Sequence, residues 1–242
     1  MKKVIIIPDS FKGTLSAKQI CRILKEKVHQ QFPACEVVTV PVADGGEGSV
    51  DCFLEVLGGR KETVQVHGPY MELMEAEYGI LSDGTAVVEM ASCAGLPLVE
   101  DRKNPKKTTT YGVGELILAA AKAGSKRIIT GLGGSCTNDG GCGMAAALGI
   151  RFYDAQDREF VPTGGTLKEI RRIDMSRREK LLDQIELLAM CDITNPLTGP
   201  EGAAHVFSPQ KGADEGMIQE LEAGMVHYAS ILEQTVQIPK IR

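Results

Sequence analysis

Apolar runs that end at a proline, a glycine or an acidic residue divide the chain into short strands. The first run ends at Pro8, and the four successive apolar residues before it are typical of a buried strand. Similar runs predict seven further strands, at residues 36–42, 64–67, 76–81, 86–90, 126–130, 150–153 and 185–190. Glycines and polar residues follow several of these runs, so the candidate chemistry lies at the ends of strands.

Between the strands, apolar residues recur every three or four positions, as they do on one face of a helix. Ser16 and Gln19 form a capping box, which predicts that the first helix begins there and ends before Pro33. Further helices are predicted at residues 50–57, 112–124, 143–149, 176–182 and 218–232. Strands that alternate with helices in this way indicate an α/β fold.

The pattern changes after residue 62, where three short strands follow one another. Asp83-Gly84 lies between the last two of them and is a hairpin signal, so this part of the sheet is expected to be antiparallel. We therefore expect a first domain at residues 1–68 and a second at 69–242. Glu89, in the third of these strands, is expected at an edge position that faces water, and a buried acid of the site is the alternative.

The segment Gly131–Gly141 directly follows a predicted strand and contains five glycines. Glycines let a backbone approach a ligand and turn its N–H groups toward it, which is how loops at helix N-termini hold phosphate. Ser135, Thr137, Asn138 and Asp139 add side chains that can bind a hydroxyl group or a hydrated Mg²⁺. A plain turn between strand and helix is the alternative, but such turns seldom gather four polar side chains of this kind.

Acidic and polar residues also follow the first, second and last of the predicted strands. In α/β sheets ligands bind at the carboxyl ends of the strands, so these residues are expected near one another. They are Asp9, Ser10 and Lys12 after the first strand, Asp44 and Glu47 after the second, and Asp192 and Asn195 after the last. Lys12 is equally well explained as a surface lysine, and a helix N-cap would explain one of Asp44 and Glu47.

Sites built from glycine N–H groups, several aspartates and a few lysines suit phosphoryl transfer, in which the protein positions groups and offsets charge through Mg²⁺. The chain has no Walker A motif, because no Gly-Lys-Ser/Thr follows a glycine at the required spacing. It also lacks the His-Arg-Asp and Asp-Phe-Gly tripeptides of protein kinases. A small hydroxyl acceptor with a carboxylate base fits the residues better.

An NAD(P)-dependent oxidoreductase is the main alternative. Gly131, Gly133 and Cys136 approximate the dinucleotide-binding pattern of two glycines and a small residue after a strand. Asp154 follows about 20 residues later, where an acid would bind ribose. Against this, Asp139 lies where a pyrophosphate-binding helix should already be running, and its carboxylate would repel the pyrophosphate. The residues therefore favour a kinase.

Composition and charge argue against several other classes. The 242 residues carry a net charge of −5 with scattered Lys and Arg, which makes nucleic acid a poor candidate for a partner. The N-terminal apolar run is too short for a signal peptide or a membrane span, so we expect a cytoplasmic protein without a membrane partner. Seven cysteines form no C-x-x-C pair and the four histidines lie far apart, so a disulfide framework or a zinc site has little support.

Five segments spread over nearly the whole chain carry a set of motifs. They are Pro8–Ala17, Ala43–Gly48, Gly131–Gly141, Cys191–Leu197 and Val206–Gly212. In this order they closely resemble the motifs of the bacterial glycerate kinase family, type 1. The resemblance implies ATP-dependent phosphorylation of D-glycerate with Mg²⁺, with the 2-hydroxyl favoured. It also implies two Rossmann-like α/β domains, one inserted in the other, with the site in the cleft between them.

The chain departs from the family pattern in a few places. Cys136 and Ser208 stand where the family usually has Ala and Gly. Family members also continue well past Arg242, which implies that strands of the first domain are missing and that this domain is incomplete in this chain. An exposed sheet edge would then favour homo-oligomers, and a non-catalytic truncated fragment becomes a second alternative to an active kinase.

With this resemblance, the candidate site residues fall into three groups. The polyphosphate of ATP is expected against Gly133, Gly134, Ser135, Thr137, Asn138 and Lys211. Mg²⁺ and the acceptor hydroxyl are expected to share Asp44, Asp139 and Asp192, with Lys12 as a further catalytic residue. The substrate is expected against Asp9, Ser10, Glu47 and Asn195. All three aspartates are candidates for the base.

Overall fold

The structure, a computed structural model, describes residues 2–11 and 14–236 and is a mixed α/β fold. Its strands and helices, in chain order, are β1 (Lys3–Ile6), α1 (Ala17–Gln31), β2 (Glu36–Thr39), α2 (Ser49–Leu57), β3 (Gly59–His67), β4 (Leu73–Leu81), β5 (Ala86–Glu89), α3 (Ala91–Ala94), α4 (Tyr111–Lys122), β6 (Arg127–Gly131), α5 (Cys142–Ala147), β7 (Arg151–Tyr153), β8 (Glu159–Phe160), β9 (Arg172–Asp174), β10 (Glu186–Met190), α6 (Ala203–Phe207) and α7 (Glu215–Val236). These elements confirm the predicted α/β class. Lys12, one of the predicted catalytic residues, lies outside the described residues.

The chain begins with a βαβ unit in which β1 and β2 pair in parallel. The connecting helix α1 has the capping box predicted from the sequence. The Ser16 hydroxyl accepts a hydrogen bond from the Gln19 N–H, and the Gln19 side chain accepts one from the Ser16 N–H. Because parallel strands end at the same edge, the loops that carry Asp9 and Asp44 leave this small sheet on one side.

Five strands form the central sheet, in the order β10-β6-β5-β4-β3. The strands β10, β6 and β5 run parallel, whereas β4 and β3 pair antiparallel. The turn between β4 and β5 contains Gly84 at φ +84°, and the Asp83 carboxylate accepts a hydrogen bond from the Thr85 N–H. This confirms the hairpin predicted from the Asp-Gly pair, since a positive φ is accessible to glycine at no steric cost.

The main core lies between the central sheet and helix α4. Leu116 on α4 is fully buried and packs with Val88 of β5 and Ile128 of β6. A second core cluster joins α7 to the three-stranded antiparallel sheet β8-β7-β9, where Tyr228 packs with Phe152. No helix within residues 2–11 and 14–236 has the length and apolar character needed to span a bilayer.

The structure differs from the sequence-based expectations in one helix and bears on the predicted domain boundary. The helix predicted from Ser176 is wrong, because the Ser176 N–H bonds to the Asp174 carboxylate in a turn and only a 3₁₀ turn follows, at Lys180–Gln184. The domain boundary predicted at residue 68 divides the central sheet, because β3 pairs with β4 along its whole length. The boundary stays a prediction, and this pairing favours a position nearer Gly59.

Replacing Leu116 by Ala is expected to lower the free energy of unfolding by about 2–5 kcal/mol, because the surrounding core cannot fill the cavity that is left. Urea denaturation followed by circular dichroism measures the change. Lys122→Ala, at an exposed position on the same helix, should cost less than about 1 kcal/mol. Equal losses in the two variants would contradict this description of the core.

Candidate active site

The carboxyl ends of three neighbouring parallel strands lie in one row. Glu89 at the end of β5 and Met190 at the end of β10 both pair with Gly131 at the end of β6. The loop that follows β2 reaches the same place, because the Gly133 N–H donates to the Gly45 carbonyl oxygen at 3.1 Å. Four strand ends therefore meet where the glycine-rich segment begins.

Close packing of the two loops explains several of their glycines. A Cβ atom on Gly131 would lie 2.3 Å from the Gly45 oxygen, and one on Gly133 would lie 2.8 Å from the Gly46 nitrogen. Both contacts are with backbone atoms, so no side-chain rotation would relieve them. Gly134 differs, because it is exposed, has φ +72° and would bring an added Cβ no closer than 3.6 Å to its nearest neighbour. It leaves the backbone of the loop open to a ligand.

Asp139 lies behind the loop surface and is 1% exposed. Its Oδ2 accepts hydrogen bonds from the N–H and hydroxyl of Thr110, both at 2.8 Å, and from the Gly143 N–H, while its Oδ1 accepts one from the Gly141 N–H. Burial raises the pKa of this carboxyl, and the hydrogen bonds act in the opposite direction. The carboxylate therefore joins the glycine-rich segment to α4 and α5 and does not face a ligand at the loop surface.

Lys211 supports the same segment from another direction. It is 6% exposed, and its Nζ donates to the Ser135 hydroxyl at 2.9 Å and to the Thr137 carbonyl oxygen at 2.5 Å. Burial lowers the pKa of Lys211 to about 8. Asn138 is also buried, and its Nδ2 is a donor without a partner in the described part of the chain. Of the predicted polyphosphate ligands, only Gly133, Gly134 and Ser135 are at least partly accessible within the segment.

A cavity of about 580 Å³ lies between the first strands and the central sheet. Residues of the loops after β1 and β2, of the start of α1 and α2 and of the end of β5 line it, including the predicted Ser10 and Glu47. Cys52 also lines it, and burial raises the pKa of its thiol to about 11, with smaller contributions from nearby charges that include Asp9 and Glu89. The predicted substrate-binding residues of the first two loops therefore lie in or near one cavity.

The three predicted metal-binding aspartates have different environments. Asp44 is half-buried beside the loop contact, and its Oδ1 accepts a hydrogen bond from the Gly46 N–H at 3.0 Å. Asp192 is exposed after β10, as is Asn195, whose side-chain amide donates to the Glu201 carbonyl oxygen. Among residues 2–11 and 14–236, no three His, Cys, Asp or Glu side chains are grouped closely enough to hold a metal ion. The aspartates thus do not form a three-carboxylate site by themselves.

Glu89 is the clearest correction to the sequence-based expectation. The edge position predicted for it is wrong, because β5 lies in the middle of the central sheet and the side chain is 7% exposed. Its Oε1 accepts a hydrogen bond from the Val50 N–H at 2.5 Å, and burial raises its pKa. The sequence signal for Glu89 was its position directly after two apolar β-branched residues, Val87 and Val88, within a predicted strand. Thr110 binds Asp139, and no sequence pattern indicated this contact, since the only feature of Thr110 in the sequence is its position before a predicted helix.

Replacing Asp139 by Asn is expected to lower the free energy of unfolding by about 2 kcal/mol or more. The side-chain NH₂ of Asn would face buried N–H and O–H groups that also donate, so these groups would lose their hydrogen bonds. Chemical denaturation of wild type and variant at one pH measures the loss. Asp157→Asn, which removes a pair with Arg172 at the surface, should cost less than about 1 kcal/mol. Comparable stability of the Asp139 variant and wild type would show that the buried carboxylate does not hold the loop.

The lowered pKa of Lys211 predicts that the stability of the protein depends on pH above about 8. The pKa of Lys211 is about 8 in the folded protein, against an ordinary value of 10.5 that applies in the unfolded chain. Between these two pH values the unfolded chain binds more protons than the folded protein, so the contribution of Lys211 to stability rises with pH. The free energy of unfolding of wild type minus that of Lys211→Met should therefore rise from pH 8 toward 10.5. Denaturation curves across this range measure the difference, and a flat difference would contradict the lowered pKa.

Several known proteins similar to this chain are glycerate kinases. The chain is 47% identical over 234 residues to the glycerate kinase of Bacillus cereus, covering 96% of this chain and 61% of that protein. It is 42% identical over 238 residues to the glycerate 2-kinase of Escherichia coli K12, covering 98% and 62%. A Salmonella typhimurium LT2 crystal structure, provisionally named glycerate kinase 2, matches with a TM-score of 0.87 at 40% identity, over 99% of this chain and 65% of that one.

The match to known proteins extends over nearly the whole chain. The chain spans 61–62% of the length of these curated relatives. The glycerate kinase family model matches residues 4–241, a range that contains all five motif segments. The motifs, the fold and this match agree, and the chain belongs to the glycerate kinase family.

Proposed function

We propose that the protein transfers the γ-phosphoryl group of ATP to the 2-hydroxyl of D-glycerate, giving 2-phosphoglycerate. The observation that carries this proposal is the direct contact between the loop after β2 and the glycine-rich segment, beside a cavity lined by Ser10 and Glu47. Membership of the glycerate kinase family supports the substrate, and the Escherichia coli relative that is named a glycerate 2-kinase supports the choice of hydroxyl.

The exposed part of the glycine-rich segment fits the polyphosphate of ATP. Gly134 leaves its backbone accessible, and Lys211 orients the Ser135 hydroxyl from behind. Thr137 and Asp139 are buried, and in our proposal they hold the loop in place and do not contact the nucleotide.

Asp44 is the aspartate that best fits the base. Asp139 is saturated by hydrogen bonds and Asp192 is exposed, whereas Asp44 is half-buried next to the contact between the loops. In the proposed reaction the Asp44 carboxylate takes the hydroxyl proton while the acceptor oxygen bonds to the γ-phosphorus. The bond from that phosphorus to the bridging oxygen breaks and ADP leaves.

Mg²⁺ would offset the charge of the phosphates. It is commonly held by one or two carboxylates together with phosphate oxygens, so Asp192 at a neighbouring strand end would be its protein ligand while Asp44 acts as the base. Asp9 and Asn195 stay candidates for the outer part of the substrate site. Lys12 stays a predicted catalytic residue.

The oxidoreductase alternative is less well supported. After Gly131 the next helix begins only at Cys142, so no helix N-terminus follows the first glycines as pyrophosphate binding requires. Asp154, the acid expected to bind ribose, accepts hydrogen bonds from Gln156 and Arg158 in a surface turn of the three-stranded sheet. These partners already occupy its carboxylate oxygens.

We also propose a cytoplasmic protein whose partner is a small molecule and not nucleic acid or membrane; the net charge of −5 disfavours nucleic acid. Leu187 and Leu188 are exposed on β10, which is one of the two edge strands of the central sheet. An exposed apolar edge favours association, so a homo-oligomer is part of the proposal.

A coupled assay of ADP release tests the activity, and release should depend on D-glycerate. Gly133→Ala should lower kcat/KM by about 100-fold or more, because the added Cβ separates the two loops and misplaces the reacting groups. Gly216→Ala is the matched control, since its Cβ would come no closer than 3.5 Å to another atom and should leave the activity unchanged.

Other results would support the alternatives. Folded wild-type protein that binds ATP but releases no ADP would indicate the non-catalytic fragment. NAD⁺ binding followed by fluorescence, with no ATP binding, would favour the oxidoreductase. Equal turnover of Gly133→Ala and wild type would contradict the place of the loop contact in the site.

A further inference from the structure

Helix α2 begins without a cap from its own sequence. Its N-cap residue is Gly48, which has φ +91° and no side chain to accept a hydrogen bond from the first helical N–H groups. Unpaired N–H groups at a buried helix start are costly, and an anion is favoured there by the helix dipole. Glu89, 39 residues further along the chain, supplies the missing acceptor to the Val50 N–H at 2.5 Å.

The same residue is joined to the glycine-rich segment through the sheet. Glu89 pairs with Gly131 between β5 and β6, and the next residue, Met90, donates its N–H to the Gly131 carbonyl oxygen at 2.9 Å. Gly48 ends the loop that contacts Gly133 through Gly45. Glu89 therefore lies between the supports of the two loops: its side chain binds the start of α2, and its neighbour Met90 binds Gly131 at the start of the glycine-rich segment.

Glu89 also lines the cavity and faces several charged groups there. Asp51 on α2 and Glu77 on β4 both form ion pairs with Lys61 on β3, at 3.0 Å each. Glu47, from the loop after β2, lines the same cavity. Because Lys61 is shared by two other carboxylates, the N-terminus of α2 is the main group that stabilises ionised Glu89.

Resting on the proposed function, we infer that Glu89 is a positioning residue for the phosphoryl transfer. Its ionised carboxylate fixes the start of α2 and the loop at residues 44–48 against the glycine-rich segment. Protonation by solvent weakens this connection and displaces Asp44. Burial raises the pKa of Glu89, so the weakening is expected at a higher pH than the protonation of an ordinary glutamate would give.

The first experiment follows the Val50 amide by NMR in ¹⁵N-valine-labelled wild-type protein and needs no turnover. Its chemical shift should titrate with a midpoint above about 4.3, the ordinary value for Glu. The titration should be lost in Glu89→Gln and kept in Glu75→Gln, an exposed glutamate on β4. A Val50 amide that does not titrate in wild type overturns the inference, even if the variant does not fold.

The second experiment measures kcat and KM for glycerate and for ATP across the acidic pH range. Glu89→Gln should lower kcat by about 10-fold or more with KM for ATP nearly unchanged, and should move the acidic limb of the pH profile toward the ordinary carboxyl range. Glu75→Gln should match wild type. If the acidic limb of the pH profile is the same in Glu89→Gln as in wild type, the inference is overturned and the proposed function is unaffected. If the wild-type protein shows no glycerate-dependent turnover but its Val50 amide titrates as described, the proposed function is overturned and the connection through Glu89 is supported.

Discussion

The direct contact between two glycine-containing loops is the constraint on which the rest of the site depends. A backbone hydrogen bond joins Gly133 to Gly45, and a side chain at Gly131 or Gly133 would separate the loops. Because only backbone atoms take part, the geometry follows from the strands that lead into the loops and not from side-chain rotamers. The polar residues on both loops consequently keep fixed positions relative to one another.

Three buried ionisable side chains surround this contact, and each is matched by hydrogen bonds. Asp139 joins the glycine-rich segment to Thr110, Lys211 binds the same segment, and Glu89 binds the start of α2. A buried charge without a partner is strongly unfavourable, so each of these groups disfavours loop conformations in which its bonds are broken. Hydrogen bonds from distant parts of the chain thereby compensate for the conformational freedom that glycines give to a loop.

The sequence locates the chemistry of the site but not the environment of each side chain. Turn and capping signals are local, so the hairpin at Asp83-Gly84 and the capped helix at Ser16 follow from neighbours in the chain. Whether a carboxylate faces water or the interior depends on the order of strands in the sheet, which no local pattern contains. For this reason the sequence places Glu89 at an edge although it lies on a central strand, and it groups Asp139 with Asp192 although one is buried and the other exposed.

The bond between Lys211 and Ser135 has a consequence for how the protein is made. The two residues are 76 positions apart, so during synthesis the glycine-rich segment leaves the ribosome well before the lysine that supports it. Contacts of high sequence separation form late, because the intervening chain must first be ordered. Ser135 therefore lacks the support of Lys211 until the turn at Pro209–Lys211 docks behind the loop.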